Sequence, residues 1–556
     1  MGPRPLLALC AWLFMLPALA GEIRFTDVSY DGDDGGPAPT AAQFRNPVIA
    51  GFHPDPSVIR VGDDFYLVNS TFGYFPGLPV FHSRDLVSWT QIGNAIDRPD
   101  QIDYGDRDEL TRGLFAATLS HHAGTFYIAN TCFYCDGGNF IVTATAPAGP
   151  WSDPVWLGFS GIDPSLFFDD DGRAWMVNND VPDGPLRYDG HRAIWLQEFD
   201  PVARKMIGPR TVLVDGGADP ASRPEHIEGP HLFRHDGWYY LTAAEGGTGE
   251  QHAQMVWRSR QVTGPYQAWA GNPTLTQRDL DPARPDPVTS AGHAQFVRLQ
   301  DGSWWSVFLA TRPYRGNQYN LGRETFLLPV TWQDGWPRIL ARGEPIPAVL
   351  PRPALPAGTA ALPTSGPIRW TERFQGDRLP PQWMTIHPPT QAWYRTGRDG
   401  LRIAPATTRL HEHGDGRGGQ PAYLAHRLQH HRATFSTTIA PWAPAEGELA
   451  GLALLQNERH HYVAGITRDA QGLALVLDRR IGGQGERVAR IPLASLDAPV
   501  SVRFTLDAPR LDVAYALTPG RWQPLTSDLD ASVLTPDVAG GFIGNTFGPY
   551  AYRPAD

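Results

Sequence analysis

Lysine is almost missing from this sequence, and positive charge is spread thinly along it. Lys205 is the only lysine among 47 basic residues, and the chain has a formal net charge of −11 at neutral pH. The arginines are scattered rather than clustered. A protein that binds nucleic acid needs a concentrated basic surface to neutralise phosphates. The composition therefore excludes nucleic acid as an expected partner.

Cysteine is also scarce, with three residues in 556. Cys10 falls in an N-terminal segment that we expect to be removed on export, which leaves Cys132 and Cys135. No βαβ pattern surrounds this pair, which disfavours a redox motif, and no second Cys/His pair stands nearby to complete a zinc site. A local disulfide and two unreacted thiols are both compatible with the spacing.

Long apolar runs are absent apart from one short stretch at the N-terminus. Arg4, the apolar run 6–16 and the small residues 18–20 follow the order of charge, hydrophobic stretch and cleavage site of a secretory signal. The run is too short for a membrane span. We therefore expect residues 1–20 to be cleaved. The mature protein is expected to be exported, to the periplasm or outside the cell, with no membrane association.

Aromatic residues, glycine and proline are abundant. The chain has 18 Trp, 18 Tyr and 25 Phe, together with 58 Gly and 53 Pro. Many short strands joined by many turns produce this composition. Apolar residues make up 42% and charged residues 19%, as in globular proteins. A length of 556 residues predicts two domains or one large repeat architecture.

A weak repeat runs through the first part of the chain. Five segments share a glycine or aspartate turn followed by an aromatic strand, and a short apolar strand precedes each one. These segments are 63–66, 124–127, 172–175, 237–240 and 302–305. Five units of about four strands, with little helix, predict an all-β fold that begins with a five-bladed β-propeller. A large β-sandwich with fortuitous spacing is the alternative, which the five shared turns disfavour.

Propeller geometry places the start of each blade's first strand at the central axis. Counting back from the five aromatic strands at matching register leads to Asp55, Phe115, Asp163, Glu228 and His293. Carboxylates gathered around one axis repel each other and are costly to bury. A purely structural protein has little use for such a cluster. We therefore predict a functional site at this end of the axis.

Two carboxylates that face each other across a sugar can break a glycosidic bond, one as proton donor and the other as base or nucleophile. A third acid raises the pKa of the donor by like-charge repulsion. Asp55 and Asp163 each stand in Asp-Pro-Ser, where proline restricts the backbone. The longer arm of Glu228 suits a donor, and we expect Gly229 to let a substrate ring approach closely.

Several motifs resemble glycoside hydrolase family 43, specifically its β-xylosidases and α-L-arabinofuranosidases with a C-terminal β-sandwich. The matching segments are NPVIAGFHPDPS at 46–57, STFGYFPG at 70–77, GIDPSLF at 161–167, IEGPHL at 227–232, AEGGT at 244–248, GH at 292–293 and LGRET at 321–325. The resemblance covers essentially the whole mature chain. One departure is Phe-Ala-Ala at 115–117, where relatives usually carry Trp-Ala-Pro.

The resemblance implies roles for the three acids. Asp55 would be the general base, Glu228 the general acid, and Asp163 the residue that orients that acid and tunes its pKa. It also implies an inverting reaction in a single displacement. Such a reaction requires the carboxyls of Asp55 and Glu228 to lie roughly 6.5–9.5 Å apart, which leaves room for a water molecule.

Further site residues follow from the same resemblance. Phe72 would pack on the substrate sugar, Phe115 would form part of the pocket wall, and Arg312 would contact sugar hydroxyls. His293 would lie near the substrate and beside a structural Ca²⁺ on the propeller axis, with no cofactor required for the chemistry. A core position for Phe72 and a surface ion pair for Arg312 are the alternatives. Arg323 is interpreted as structural.

The second half of the chain has its own pattern. Residues 21–343 are assigned to the propeller, and residues 344–367, rich in Pro, Ala and Gly, to a linker. Short alternating strands through 368–556 predict a β-sandwich, concanavalin-like by resemblance. Because the linker is short and proline-rich, a packed accessory domain is preferred over an independent carbohydrate-binding module. Two histidine pairs are interpreted as solvated faces rather than metal sites: His411 with His413, and His430 with His431.

These observations predict an exo-acting inverting glycosidase that releases xylose from the non-reducing ends of xylo-oligosaccharides or aryl β-xylosides. The alternative is an α-L-arabinofuranosidase, or a dual-activity enzyme acting on arabinose-substituted xylan fragments. A fructosidase of the invertase type would need Arg-Asp-Pro and Glu-Cys motifs, which the sequence lacks. The intact set of Asp55, Asp163 and Glu228 disfavours an inactive sugar-binding protein.

Overall fold

Strands dominate the computed structural model, which describes residues 21–104, 109–360, 362–413 and 419–555. The predicted signal segment 1–20 lies outside these ranges. Helix in the described residues is confined to three short elements: the 3₁₀ turns Pro220–Ser222 and Ala531–Leu534, and the α-helical turn Pro536–Ala539. None of these described helices is long and apolar enough to span a membrane.

The first domain is a five-bladed β-propeller, as predicted. Each blade is an antiparallel sheet of four strands that follow one another in the chain. Blade 1 contains Ser57–Val61, Asp64–Val68, Gly77–Ser83 and Thr90–Ile96. Blade 2 contains Gly113–His122, Thr125–Phe133, Asn139–Ala144 and Val155–Trp156. Blade 3 contains Ile162–Phe168, Ala174–Asp180, Ala193–Asp200 and Lys205–Asp215.

The last two blades complete the ring. Blade 4 contains Glu228–His235, Trp238–Glu245, Ala253–Ser259 and Gln267–Ala268, with Leu275–Thr276 as an added strand on the third of these. Blade 5 contains Thr289–Arg298, Trp304–Thr311, Glu324–Gln333 and Trp336–Arg338. Asn46 joins the start of the domain to blade 5, because its side chain donates to Leu327 O and accepts from Leu327 N.

The repeated turns and aromatic residues explain how the blades form and pack. Gly124 and Gly302 lie between the first two strands of their blades with φ of 78° and 87°, a backbone region that glycine enters without a steric penalty. The aromatic residues Phe126 and Trp304, two positions after each glycine, are buried in apolar clusters shared with blade 1. The repeated turn and aromatic residue in the sequence therefore correspond to the apolar clusters that lie between neighbouring blades.

The second domain is a sandwich of two antiparallel sheets. The eight-stranded sheet contains Ile23–Gly32, Ile368–Glu372, Tyr394–Gly397, Gly400–Ile403, Arg432–Ile439, Val500–Asp507, Arg510–Ala516 and Gln523–Asp530. The seven-stranded sheet contains Ala422–Tyr423, His426–Arg427, Leu449–Asn457, His460–Asp469, Gly472–Ile481, Gln484–Pro492 and Thr546–Tyr552. The apolar side chains between the sheets form one core.

The first strand of the chain belongs to this sandwich, which corrects the predicted propeller boundary at residue 21. Ile23–Gly32 pairs with Ile368–Glu372 and Gly400–Ile403 along one side and with Arg432–Ile439 along the other. Phe25, Val28 and Tyr30 are buried in the sandwich core, because alternation turns one face of the strand inward. Alternation of apolar and polar residues predicts a strand but not the strands it pairs with. Ile23–Gly32 was therefore predicted to belong to the propeller, the domain that follows it in the chain.

The two domains are packed against each other, which confirms the prediction of a packed accessory domain. The short strand Tyr74–Phe75 of the propeller pairs with Thr385–Ile386, and the Tyr74 hydroxyl lies 2.9 Å from Thr546 Oγ1. The predicted linker 344–367 is itself fixed on the propeller. Its strand Val349–Pro351 pairs with Gln43–Arg45, at the start of the first domain.

Cys132 and Cys135 are joined by a disulfide at the end of the second strand of blade 2. Both residues are buried in the apolar cluster between blades 1 and 2. Of the two states compatible with the sequence, the structure therefore has the disulfide.

The interpretation of the histidine pairs as solvated faces is wrong for His413 and His430, which are 2% and 3% exposed. The His430 ring bonds the Tyr30 hydroxyl at 2.8 Å through Nδ1 and the Gly366 carbonyl at 2.9 Å through Nε2. Both ring nitrogens thus have partners inside the protein, which permits burial.

Candidate active site

Asp55, Asp163 and Glu228 line one pocket at the end of the propeller axis, with about 420 Å³ of empty space that includes its mouth. Asp55 and Asp163 are each only 4% exposed. Phe72, Phe115 and His293 line the same pocket. The structure therefore brings together every predicted site residue except Arg312.

The starts of the first strands hold these side chains in uncommon backbone conformations. Asp55, Asp163 and His293 have φ of 51°, 57° and 52°, in the left-handed region that residues with a Cβ rarely enter. The ladders of blades 3, 4 and 5 are irregular just after Ile162, Glu228 and Thr289. Such bulges re-aim side chains near active sites. Here they lie at the predicted site residues.

Asp55 is an ionised carboxylate held from both oxygens. Ser70 Oγ donates a hydrogen bond of 2.5 Å to Asp55 Oδ2, and Arg323 Nη1 donates one of 2.9 Å to Asp55 Oδ1. Burial raises the pKa of Asp55, but the Arg323 guanidinium, His293 and the Ser70 hydroxyl outweigh burial and place the pKa below its ordinary value. Asp55 is therefore negative throughout the neutral range.

The pKa values of Asp163 and Glu228 are raised, whereas that of Asp55 is lowered. Burial, followed by the charges of Glu228 and Asp55, raises the pKa of Asp163 well above its ordinary value. Burial also raises the pKa of Glu228, to about 7, with Arg323 opposing and Asp55 reinforcing the shift. Gly229 N donates a hydrogen bond of 3.0 Å to Asp163 Oδ2, which links the two acids through the backbone. The pair therefore retains a proton near neutral pH.

Aromatic side chains from both domains form one wall of the pocket. The Phe72 ring lies 5.4 Å from the Phe115 ring and 6.0 Å from that of Phe542, and Phe115 stacks on Phe133 at 4.9 Å. Phe542 belongs to the loop before the last strand of the sandwich. The second domain therefore closes part of the pocket.

Arg323 lies in the pocket, and its interpretation as structural missed its place beside Asp55. It is 6% exposed and forms the ion pair with Asp55 described above. Its guanidinium also lies 5.8 Å from the Phe72 ring and 5.9 Å from that of Phe542. The signal in the sequence was its position in the LGRET motif.

Arg312 lies elsewhere, which corrects its assignment to the substrate site. Its guanidinium forms hydrogen-bonded ion pairs with Glu324 and Asp34. Arg312 lines a separate concavity beside the sandwich, together with His431 and Arg432. Arg312 and Arg323 both belong to blade 5, and the sequence did not show which of them turns toward the axis.

Gly229 has a different neighbour from the one predicted. A Cβ at this position would lie 2.7–2.8 Å from three atoms of the His293 imidazole. The glycine therefore gives room to His293 rather than to a substrate ring. His231 lies next along the axis, with its ring centre 6.5 Å from that of His293.

The residues around His293 offer few of the oxygen ligands that calcium needs. No group of three or more His, Cys, Asp or Glu able to hold a metal occurs in the described residues. Buried atoms near the axis that have no hydrogen-bond partner among the described residues are His231 Nε2, His252 Nε2 and Ser290 Oγ. Calcium takes six to eight oxygen ligands. These residues therefore do not fit a calcium ion held by protein ligands alone.

Two family models match the chain. The model for glycosyl hydrolases family 43 matches residues 44–337, and that for the β-xylosidase C-terminal concanavalin A-like domain matches residues 371–556. The matches correspond to the propeller and to most of the sandwich.

Curated relatives match along nearly the whole chain. A xylosidase/arabinosidase of Butyrivibrio fibrisolvens is 37% identical over 520 residues, which covers 91% of this chain and 95% of the relative. A non-reducing end α-L-arabinofuranosidase of Bacteroides ovatus is 35% identical, with coverage of 91% of each chain.

Solved structures agree in fold. A GH43_12 protein from a capybara gut metagenome has a TM-score of 0.87 at 34% identity, covering 96% of this chain and 99% of that one. A xylan β-1,4-xylosidase from Bacillus halodurans has a TM-score of 0.81 at 31% identity, covering 92% and 96% respectively. Propeller and sandwich therefore occur together in these relatives.

Proposed function

Because the chain belongs to glycoside hydrolase family 43, we propose that it is an exo-acting β-xylosidase that releases xylose from non-reducing ends with inversion. The observation that carries the proposal is the pairing of an ionised Asp55 with a proton-holding Asp163 and Glu228 in one pocket. Asp55 can accept a proton, and the Asp163–Glu228 pair can supply one. Glycosidic hydrolysis needs this combination.

Each acid has a role in the proposed reaction. Asp55 takes a proton from water as the water attacks the anomeric carbon. Glu228 gives its proton to the leaving oxygen, so that the glycosidic bond breaks as the bond to water forms. Asp163 shares a proton with Glu228, because two neighbouring carboxylates repel each other when both are ionised, and this repulsion keeps the donor protonated near neutral pH. Arg323 and Ser70 hold the Asp55 carboxylate in one orientation.

The shape of the pocket supports an exo mode of action on short sugars. Its walls include Phe72, Phe115 and the sandwich residue Phe542, and its empty space is about 420 Å³. A chain end fits a pocket closed on one side by a second domain, whereas a long polysaccharide needs an open cleft. The proposed substrates are therefore xylo-oligosaccharides and arabinose-substituted xylan fragments.

The substrate assignment is tested with aryl β-xyloside and aryl α-L-arabinofuranoside, comparing the protein with its Glu228→Ala variant. Sucrose serves as a third substrate that tests for fructosidase activity. We expect xyloside turnover that falls by about 10²–10⁴-fold in Glu228→Ala. Glu225→Ala is the matched control, since Glu225 is an exposed carboxylate of the same loop outside the pocket. No turnover on any substrate, with xylose still bound, would contradict the proposal.

An α-L-arabinofuranosidase, or a dual-activity enzyme, is the second candidate. The observation that favours it is the 35% identity to the Bacteroides ovatus protein named for that activity. Phe115 also stands where relatives usually carry the larger Trp, and a pocket wall with the smaller ring is compatible with either xylose or arabinose. A larger kcat/KM for the arabinofuranoside than for the xyloside would favour this candidate.

Inversion is tested separately from substrate choice. The predicted separation of roughly 6.5–9.5 Å between the Asp55 and Glu228 carboxyls stays a prediction. Proton NMR of the first sugar released should show the anomer opposite to that of the substrate. Release of the same anomer would assign a retaining reaction, for which the two carboxyls lie only about 5 Å apart.

Export stays a prediction, and so does a calcium ion near His293, which would need water molecules to supply most of its ligands. N-terminal sequencing of the secreted protein should show a start after Ala20. Elemental analysis of the purified protein, with unfolding temperatures measured before and after EDTA, tests the calcium ion. A calcium-free protein with an unchanged unfolding temperature would contradict it.

A further inference from the structure

Arg427 is a buried cation at the junction of the two domains. It lies in the short strand His426–Arg427 of the seven-stranded sheet and is 4% exposed. No carboxylate forms an ion pair with it within the described part of the chain, and its Nε is buried there without a hydrogen-bond partner. Its guanidinium lies 5.7 Å from the Phe52 ring. Burial lowers the pKa of Arg427 to about 10, so it is still positive at neutral pH.

The polar neighbours of Arg427 do not neutralise this charge. The Tyr74 hydroxyl is bonded to Thr546, and burial raises the pKa of Tyr74 so that it stays neutral. Burial and the charge of Arg427 lower the pKa of His53, and burial lowers that of His426 to about 4. Both imidazoles are therefore neutral. An uncompensated buried charge is strongly destabilising, which indicates that an anion completes this site.

A pocket separate from the catalytic one adjoins Arg427. It lies between propeller and sandwich, has about 700 Å³ of empty space including its mouth, and shares no lining residue with the pocket of the three acids. Its walls combine aromatic rings with side-chain amides: Phe81, Trp89, Trp370, Gln91, Gln382 and Gln429. Leu362, which is 48% exposed, lies at its rim.

The guanidinium has donors left for a ligand in this pocket. Nε is its only nitrogen that is both fully buried and without a partner, and no described residue accepts a hydrogen bond from the two terminal nitrogens. The terminal nitrogens of Arg427 are therefore open to the pocket that it lines. The Gln382 side chain likewise makes no hydrogen bond with a described residue, so its amide is available as well.

We propose that this pocket binds a hexuronate, a six-carbon sugar acid, whose carboxylate pairs with Arg427. A guanidinium presents two parallel N–H groups that match a carboxylate. Side-chain amides such as that of Gln382 bind sugar hydroxyls, and the half-buried Trp370 ring packs on the apolar C–H groups of a sugar ring. Acid, hydroxyls and an apolar ring face occur together in a hexuronate.

Isothermal titration of the full chain with D-glucuronate, D-glucose and inorganic phosphate tests the site. We expect glucuronate to bind at least about tenfold more tightly than glucose, which lacks the carboxylate, and than phosphate, which lacks the ring. Arg427→Gln should weaken glucuronate binding by about tenfold or more. Arg503→Gln is the control, because Arg503 also has no carboxylate partner among the described residues but lies outside the pocket.

Several results would overturn the proposal. They are equal affinity for glucose, equal affinity for phosphate, unchanged glucuronate binding by Arg427→Gln, and no binding of any of the three ligands. Circular dichroism checks that Arg427→Gln is folded. If it does not fold, Gln382→Ala probes the same pocket through a second side chain of the sandwich, and unchanged glucuronate affinity in that variant also counts against the site.

Discussion

Asp55 and the Asp163–Glu228 pair are carboxyls of one pocket that differ in charge because their nearest neighbours differ. Arg323 and Ser70 hold Asp55 ionised, whereas Asp163 is buried, Glu228 is partly buried, and these two acids repel each other. Asp55 and Asp163 are each 4% exposed, so bulk water does little to level the difference between them. Two predictions test this division at single residues.

Asp55→Asn should lower kcat on aryl β-xyloside by about 10²–10⁴-fold, because an amide cannot accept the proton of the attacking water. The Asn side chain keeps the size and can still bond Ser70, so KM should change little. Steady-state kinetics measure both constants. Asp63→Asn, an exposed aspartate of the same blade, is the control. A near-normal kcat for Asp55→Asn would place the base elsewhere.

Asp163→Asn should move the basic limb of the kcat/KM profile to lower pH. Activity falls as pH rises through the pKa of Glu228, about 7, because the donor must hold its proton. Removing the nearby negative charge lowers that pKa, so the fall should begin at lower pH. Profiles from pH 4 to 9 on aryl β-xyloside measure the shift, with Asp153→Asn, a surface acid of the same propeller, as control. An unmoved basic limb would leave Asp163 with an orienting role only.

Among the structural elements, the first strands of the blades carry the site at their irregular starts. The turn repeat predicted these strands, and matching register predicted Asp55, Asp163 and Glu228, because each blade presents the same position to the axis. Register could not predict that Gly229 would face His293. That contact depends on the bulge after Glu228 and on the left-handed backbone of His293, which leave no pattern in the sequence.

Gly229→Ala tests this contact between blades 4 and 5. The added methyl would lie 2.7–2.8 Å from the His293 ring, on a backbone with φ of 58°. Gly62→Ala is a close control, since Gly62 has φ of 65° and no atom within 4 Å of the added methyl. Both variants have the backbone strain, about 1 kcal/mol, and only Gly229→Ala has the clash.

Thermal unfolding and aryl β-xyloside kinetics compare the two glycine variants. Gly229→Ala should unfold at a clearly lower temperature than Gly62→Ala and should lose activity, because Glu228 is the next residue and Gly229 N holds Asp163. Equal unfolding temperatures and equal activities would show that His293 moves aside without loss of stability or activity.

At the scale of the whole molecule, the sandwich completes the pocket that the propeller begins. Phe542 lines the pocket of the three acids, although it belongs to a domain whose family match begins at residue 371. The repeat pattern aligns equivalent positions of the five blades. It contains no information about loops of the sandwich, so it could not predict that Phe542 lines the pocket.

Phe542→Ala should lower kcat/KM on aryl β-xyloside by about 2- to 10-fold, since it removes aromatic contacts worth about 0.5–1.5 kcal/mol. The loss should fall mainly on KM, because no proton transfer involves the ring. Val538→Ala is the control, an exposed apolar residue of the same segment. Unchanged kinetics would show that the sandwich wall does not contact the substrate.

The first strand of the chain lies in the sheet of the last domain. Ile23 pairs with Ile403, so a segment made at the start of synthesis has no sheet to join until the second domain exists. At the opposite end, Arg553 Nη2 donates a hydrogen bond of 3.3 Å to Gly21 O. Gly21 and Arg553 are therefore neighbours in space. In a protein that starts at Gly21, a short peptide would join these two positions, and new termini opened at an exposed blade turn would give a circular permutant with the same two domains.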